Sequence, residues 1–363
     1  MKTIVQVVQH LTPGGIEVMA IELKNSMPSD AHVLIISLEG NKQDTIDAWP
    51  RFSPIAADII CLNKQEGLDS QLIVKLVNVF RGRKISAVHT HHIGPLIYAG
   101  IAARIAGIKH VVHTEHDAWH LENKKRRWLQ RLILSLTRPT LIADSCMVAN
   151  EMKKHLFKKN IKVIPNGIDI RRFTPGDRQH AQSFFNMHHN VHWIGASGRL
   201  EKVKGHKTLL AAMSHLPNHV HLALAGSGSQ FDALCTRVHE LGLNGRVHFL
   251  GHLDDMPTFY RAIDVFCLPS LHEGMPLAPL EAQACGIPAV VSETGGTKET
   301  VCELTGRLVE PGNNKALADA LAQVLNSKSL ETPRKFVENS ANLAQTVESY
   351  FEHYGTDSKV KLC

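Results

Sequence analysis

Two carboxylates, Glu273 and Glu281, flank seven residues inside HEGMPLAPLEAQACGIPAVVSETGG, the stretch from His272 to Gly296. Between them Gly274, Met275, Pro276 and Leu277 form a Gly-x-Pro-Leu turn at the start of an apolar helical segment. The chemistry this pattern allows is recognition of a phosphorylated sugar. Free N–H groups at a helix start, with the positive end of the helix dipole, attract a phosphate. Glycine lets a ligand approach the backbone, and proline near the first turn sacrifices no needed donor. Glu281, about two turns into the helix, would accept bonds from sugar hydroxyls, and Glu273 stands at the mouth. A plain buried helix with a solvated glutamate at its start accounts for the turn alone equally well.

The elements that position this turn are readable around it. DVFCLPS before it and PAVVSE after it are short apolar runs, so the stretch reads as strand, turn, helix, strand, one βαβ unit. The same alternation begins at TIVQVVQ and continues through HVLIISL, SAVHTHH and HVVHTEHD, which predicts a parallel sheet with helical crossovers. KVIPNGIDIRRFTP has an Asn-Gly turn with a proline at either end and reads as a strand leaving one domain for a linker. At 363 residues there is room for two domains. The boundaries expected are 1–166, with a returning C-terminal helix of about 340–363, and 167–339.

Other groups could join the chemistry. Gly14 and Gly15, followed by Glu17, lie at the first strand-to-helix turn, where a doubly wound fold meets its ligand. His89, His91, His92, His113, His116 and Asp117 gather at the ends of two strands that would open toward that ligand. His-x-His is a workable metal pair, but no cysteine or carboxylate cluster completes a set, so no metal is expected. Arg199 and Lys204, after the strand HWIGAS and Gly198, would flank a loop able to neutralise a diphosphate. Gly226-Ser-Gly228 is followed by Phe231 where a dinucleotide fingerprint requires glycine, so that motif fails and no cofactor is expected.

The Glu-x₇-Glu pair around Gly-x-Pro-Leu resembles the nucleotide-sugar signature of glycosyltransferase family 4, retaining enzymes of the GT-B fold. Gly-Gly-x-Glu near residue 14, Thr-Glu-His-Asp ending at Asp117, Pro-Asn-Gly-Ile-Asp from Pro165 and Gly-Arg-Leu…Lys-Gly from Gly198 follow in that family's order. The resemblance implies an α/β chain of two Rossmann-like domains facing across a cleft, the first binding acceptor and the second donor. It implies metal-independent transfer of a sugar from a UDP- or GDP-sugar to a saccharide or lipid-linked acceptor, with retention. Carried over residue by residue, His116, Arg199, Lys204 and Glu273 take the catalytic places. Gly14, Gly15, Gly198, Leu253, Gly274, Met275, Pro276, Leu277 and Glu281 bind the donor, and Glu17, His91 and Asp117 stand on the acceptor side. A GT-B epimerase, a sugar-phosphate synthase or a non-catalytic nucleotide-binding module are the alternatives.

Charge is uneven along the chain. Residues 1–170 hold 22 Lys/Arg against 15 Asp/Glu, and the remainder 18 against 19, so the whole net charge of +6 arises in the first half. That asymmetry points to an anionic partner for the first domain. NKKRRWLQRLILSLTR carries four consecutive cations before Trp128, Leu129, Leu132, Ile133 and Leu136. At helical spacing these read as a basic amphipathic helix over Lys124–Arg138, suited either to an anionic membrane surface or to an ordinary core. No nucleic-acid motif accompanies it. Seven scattered cysteines and an N-terminus without a cleavage-site pattern favour the cytoplasm, with the membrane's inner face as a peripheral location. The closing GTDSKVKLC is expected to fray.

Overall fold

The computed structural model of the chain describes residues 2–12, 14–327 and 332–355. It divides into two compact units, one of the residues up to Gly167 together with those from Leu343 onward, the other Ile168–Asn342. In the first unit, β1 (Lys2–Val8), β2 (Ala31–Ser37), β3 (Ile59–Cys61), β4 (Ala87–His91), β5 (His110–Glu115), β6 (Thr140–Ala143) and β7 (Lys162–Val163) form one parallel sheet in the order β3-β2-β1-β4-β5-β6-β7. In the second, β8 (His192–Ser197), β9 (Val220–Ala225), β10 (Val247–Gly251), β11 (Val265–Leu268), β12 (Ala289–Ser292) and β13 (Arg307–Val309) form another, ordered β10-β9-β8-β11-β12-β13. Both are Rossmann-like α/β sheets. Each strand order reverses once, at β1/β4 and at β8/β11, and open sheets of this kind receive ligands at that point beyond the strand C-termini.

The sequence makes these elements for ordinary reasons. β1 buries Ile4, Val5, Val7 and Val8 because helices cover both faces of the sheet. One such helix, Ser70–Gly82, turns Leu72, Leu76, Val77 and Phe80 onto Val5, Val7, Leu34 and Val88, and Asp69 caps it by accepting the Leu72 N–H. In the second unit Leu209, Leu210 and Met213 of the His206–Met213 helix pack with Leu222, Val265 and Leu321.

Several elements differ from the sequence reading. The apolar segment between β4 and β5 is not one regular helix but Ile93–Pro95, a π-helical turn at Leu96–Gly100, and Ile101–Ile105. Lys42–Ala48, Pro50–Asp58 and Arg178–Phe184 are helical without an amphipathic period long enough to announce them. Near the expected C-terminal helix of about 340–363 the chain is broken: Arg334–Ser340 ends where the Ala341 carbonyl accepts the Ile168 N–H, and Leu343–Phe351 begins anew within the first unit. There Tyr350 and Tyr354 are fully buried, and Tyr354 Oη bonds His89 Nδ1 at 2.8 Å. The residues from Thr356, and positions 328–331, lie outside the described residues. Among the described residues no helix is long and apolar enough to cross a membrane.

Candidate active site

In the second unit the β8/β11 switch point gathers the groups that carry charge. The loop after β8 holds Gly198, Arg199 and Lys204, and the loop after β11 holds Ser270 and Glu273. Lys204 Nζ donates to Glu273 Oε1 at 2.7 Å, and Ser270 Oγ donates to the same oxygen at 2.6 Å. No hydrogen bond among the described residues reaches Glu273 Oε2. The Glu273 side chain is only 10% exposed and the Lys204 side chain 20%, so this ion pair is largely withdrawn from solvent. Arg199, in the same loop after β8, is exposed.

The loops around this pair are locked by backbone contacts. Leu271 N–H donates to Val203 O at 2.8 Å, and Gly296 N–H to Gly274 O at 2.8 Å. Gly205 has φ +66°, and a Cβ there would lie 2.0 Å from Pro269 O; Gly295 has φ +57°, and a Cβ there would lie 1.8 Å from Glu273 O. Only glycine permits both the left-handed backbone and the close approach. The pair is thus preorganised and not carried on a mobile loop.

Glu281 is placed differently from its expected position. The helix after the turn is Ala278–Ala284, with Leu277 as its N-cap, so Glu281 lies in the first turn and not two turns in. Pro276 belongs to the turn and Pro279 takes the N2 position, which delays the helix start relative to the sequence reading. Gly274 and Pro276 are half-buried, whereas Met275 and Leu277 turn inward. Tyr260 Oη donates to Glu281 Oε2 at 2.7 Å, and Ser197 Oγ lies 3.4 Å from that hydroxyl. Burial, and then the Glu281 charge, push the Tyr260 phenol well above its ordinary pKa, so it remains a donor. Leu253 is half-buried in the loop after β10, two strands from β8 in the sheet order.

In the first unit the β1/β4 switch point collects the glycine loop and the histidines. Gly14 caps the Gly15–Ser26 helix with its backbone, and Glu17, in the first turn, is buried with Oε1 3.3 Å from His10 Nδ1. His91 and His116 are buried and bonded to each other. Gln6 Oε1 accepts from His91 Nε2 at 2.8 Å, which makes His91 Nδ1 the acceptor of the His116 Nε2 proton at 2.9 Å. His116 Nδ1 then faces Asp144 Oδ2 at 3.3 Å. Burial, and then the charges of His89 and His116, keep His91 neutral; burial also raises the Asp144 carboxyl.

A second polar set adjoins the first. Glu115, fully buried, accepts from His113 Nε2 at 2.9 Å and Gln130 Nε2 at 2.5 Å and lies 3.4 Å from His92 Nδ1. Burial opposes its charge, but the bonds from His113 and His92 hold it far below the usual carboxylate range. His120, with Nδ1 3.4 Å from Asp117 Oδ1 and Nε2 2.7 Å from Gln130 Oε1, is lowered by burial yet raised more by Asp117 and Glu115, to about 9. Among the described residues no three His, Cys, Asp or Glu side chains are arranged to hold a metal ion. These ring nitrogens bond to carboxylates, amides, hydroxyls and one another instead.

Sequence reading missed Ser270, Tyr260, Gln6 and Glu115. Ser270 was findable, since it follows β11 by two residues and precedes Glu273 by three. Tyr260 carried no local signal, because it is 21 residues from Glu281 in the chain. The basic segment is the helix Lys124–Thr137, but Ile133 faces the core with Leu134, while Trp128, Leu129, Leu132 and Leu136 are exposed.

Comparison with known proteins adds to this geometry. Residues 13–172 match the model of Glycosyltransferase Family 4, and residues 178–343 the model of Glycosyl transferases group 1. The chain is 30% identical over 323 residues to the UDP-Gal:alpha-D-GlcNAc-diphosphoundecaprenol alpha-1,3-galactosyltransferase of Escherichia coli, covering 81% of each. It is 33% identical over 207 residues to the D-inositol 3-phosphate glycosyltransferase of Mycolicibacterium smegmatis, 54% of this chain and 48% of that protein. Anabaena Alr3699/HepE, solved in complex with UDP and glucose, superposes with a TM-score of 0.83 over 97% of this chain and 99% of its own at 22% identity, a likeness of fold.

Proposed function

We propose a donor and an acceptor for this chain, which belongs to glycosyltransferase family 4 and is a glycosyltransferase of the GT-B type. The donor is a UDP-hexose, the acceptor a saccharide carried on a lipid, and transfer retains the anomeric configuration. The observation that carries this reading is the Lys204–Glu273–Ser270 constellation at the β8/β11 switch point. As the anomeric bond breaks, negative charge grows on the departing diphosphate and positive charge on the sugar ring. Lys204, withdrawn from solvent in a preorganised loop where such contacts act most strongly, and Arg199, exposed in the same loop, supply the compensating cations. Glu273 keeps Oε2 for a sugar hydroxyl, and Glu281, held by Tyr260, accepts from the ribose. The reading includes no metal and no cofactor, and the departing phosphate takes the acceptor proton on the face it leaves.

Uridine and a lipid-linked acceptor are supported by the Escherichia coli relative, whose name specifies both, and by the Anabaena protein solved with UDP. The exposed apolar side chains of the basic Lys124–Thr137 helix support a peripheral position on an anionic membrane, in synthesis of cell-surface polysaccharide. Calorimetry with UDP, GDP and ADP, each with and without EDTA, tests the donor. Tightest binding by UDP in both conditions is expected. Preference for another base, or binding only with metal, would overturn that part. Conversion of the UDP-sugar without transfer to any saccharide or lipid would instead identify an epimerase or sugar-phosphate synthase.

A further inference from the structure

The Lys124–Thr137 helix ends beside a cavity of about 410 Å³, within the roughly 300–1,000 Å³ of small-ligand sites. Leu134, Leu141 and Phe157 line its apolar side, and Arg138, Lys158 and Lys159 its cationic side. Cations beside helix C-termini commonly serve to cap the last carbonyls, but here other residues do so. Arg104 donates to Thr137 O at 2.6 Å and to Arg138 O at 2.9 Å, and Arg131 donates to His155 O at 3.0 Å. Among the described residues the side chains of Arg138, Lys158 and Lys159 make no hydrogen bond or ion pair.

The surroundings select the ligand. Trp128, Leu132 and Leu136 are 65%, 41% and 59% exposed, and Phe157 is 75% exposed with the Arg131 guanidinium 4.2 Å over its ring. Between Trp119 and Val163 stand eleven Lys/Arg and three acidic residues. Of those three, Asp144 is buried and Glu151 is paired with Lys154 and His155. Exposed apolar side chains inside a ring of cations complement an anionic lipid surface. We propose that this cavity binds the headgroup of an anionic phospholipid, with the phosphate on Arg138, Lys158 and Lys159 and the first acyl carbons along Phe157. The inference rests on the membrane reading above and adds a defined headgroup site to it.

The test is calorimetry of the full chain with monomeric dihexanoyl-phosphatidylglycerol, dihexanoyl-phosphatidylcholine and inorganic phosphate, followed by sedimentation with phosphatidylglycerol vesicles. Two triple variants lose the same charge: Arg138→Asn/Lys158→Gln/Lys159→Gln in the cavity, and Lys153→Gln/Lys154→Gln/Lys162→Gln outside it. Saturable binding of the phosphatidylglycerol analogue is expected, weakened at least tenfold by the cavity variant and less than threefold by the outside variant. Vesicle partition should fall on the order of 100-fold in the cavity variant, from roughly 1 kcal/mol per basic residue near the surface. Equal losses in both variants would reduce the site to diffuse charge, and equal binding of phosphate would make it a free-anion site; either overturns the proposal. So does absence of phosphatidylglycerol binding, including the case in which the exposed face serves a protein partner. UDP binding measured on the same variants should stay at wild type; its failure in the wild type would remove the donor reading and leave this site standing.

Discussion

Replacing Lys204 by alanine removes the cation that shares Glu273 Oε1 with the Ser270 hydroxyl. Two effects follow from the geometry and are separable. The first acts on the folded state, because a carboxylate only 10% exposed keeps one neutral donor in place of an ion pair. Side chains this withdrawn but still in touch with solvent lie between surface pairs, worth up to about 1 kcal/mol, and buried ones, where removing a partner costs about 3–5 kcal/mol. We therefore expect about 1–3 kcal/mol, and Glu273→Gln in the same chain should restore most of it. The second effect acts on the transition state. Loss of one preorganised contact to developing charge typically costs about 2.7–4 kcal/mol, or roughly 10²–10³ in kcat. The double variant should recover stability without recovering kcat, since glutamine relieves the orphaned charge but supplies no cation. The assay is UDP release from a UDP-sugar, with urea unfolding of each variant in parallel. A kcat within tenfold of wild type for a folded Lys204→Ala chain, or recovery of kcat in the double variant, would refute the role given to Lys204.

Tyr260→Phe deletes the hydroxyl that donates to Glu281 Oε2; a bond to a charged group contributes about 1.5–3 kcal/mol, so UDP affinity should fall roughly tenfold or more with little change in kcat, and an unchanged Kd would remove Tyr260 as a positioning residue. His120, raised to about 9 by Asp117 and Glu115 against the lowering effect of burial, favours the folded state fully below its unfolded value of 6.5 and loses that contribution as pH rises to about 9. Urea unfolding of the wild type should therefore show stability falling across that window by at most about 3 kcal/mol, and His120→Gln should flatten this slope; a wild-type profile level from pH 6.5 to 9 would contradict the ion-pair geometry.

The sequence alone determined the elements whose causes are local. Apolar runs of four to seven residues alternating with helical periods are sufficient for two parallel sheets, because both faces of each strand must be buried. Glu273 and Glu281 were legible together because one loop and the first turn of one helix carry both. The helix start was not, since prolines at 276 and 279 are each compatible with a first turn, and the helix begins at Ala278. Only the tertiary structure decided which side chains meet across strands. The order β8-β11 brings Lys204 to Glu273 across 69 residues, and the adjacency of β1, β4, β5 and β6 sets Gln6, His91, His116 and Asp144 in one line of polar contacts. It also decided which face of the Lys124–Thr137 helix meets solvent, because Ile133 and Leu134 had apolar neighbours on the sheet to pack against whereas Trp128 and Leu136 did not. Local propensity is a property of a few consecutive residues; strand order is a property of where the whole chain can bury its apolar surface, and the candidate site is assembled by that order.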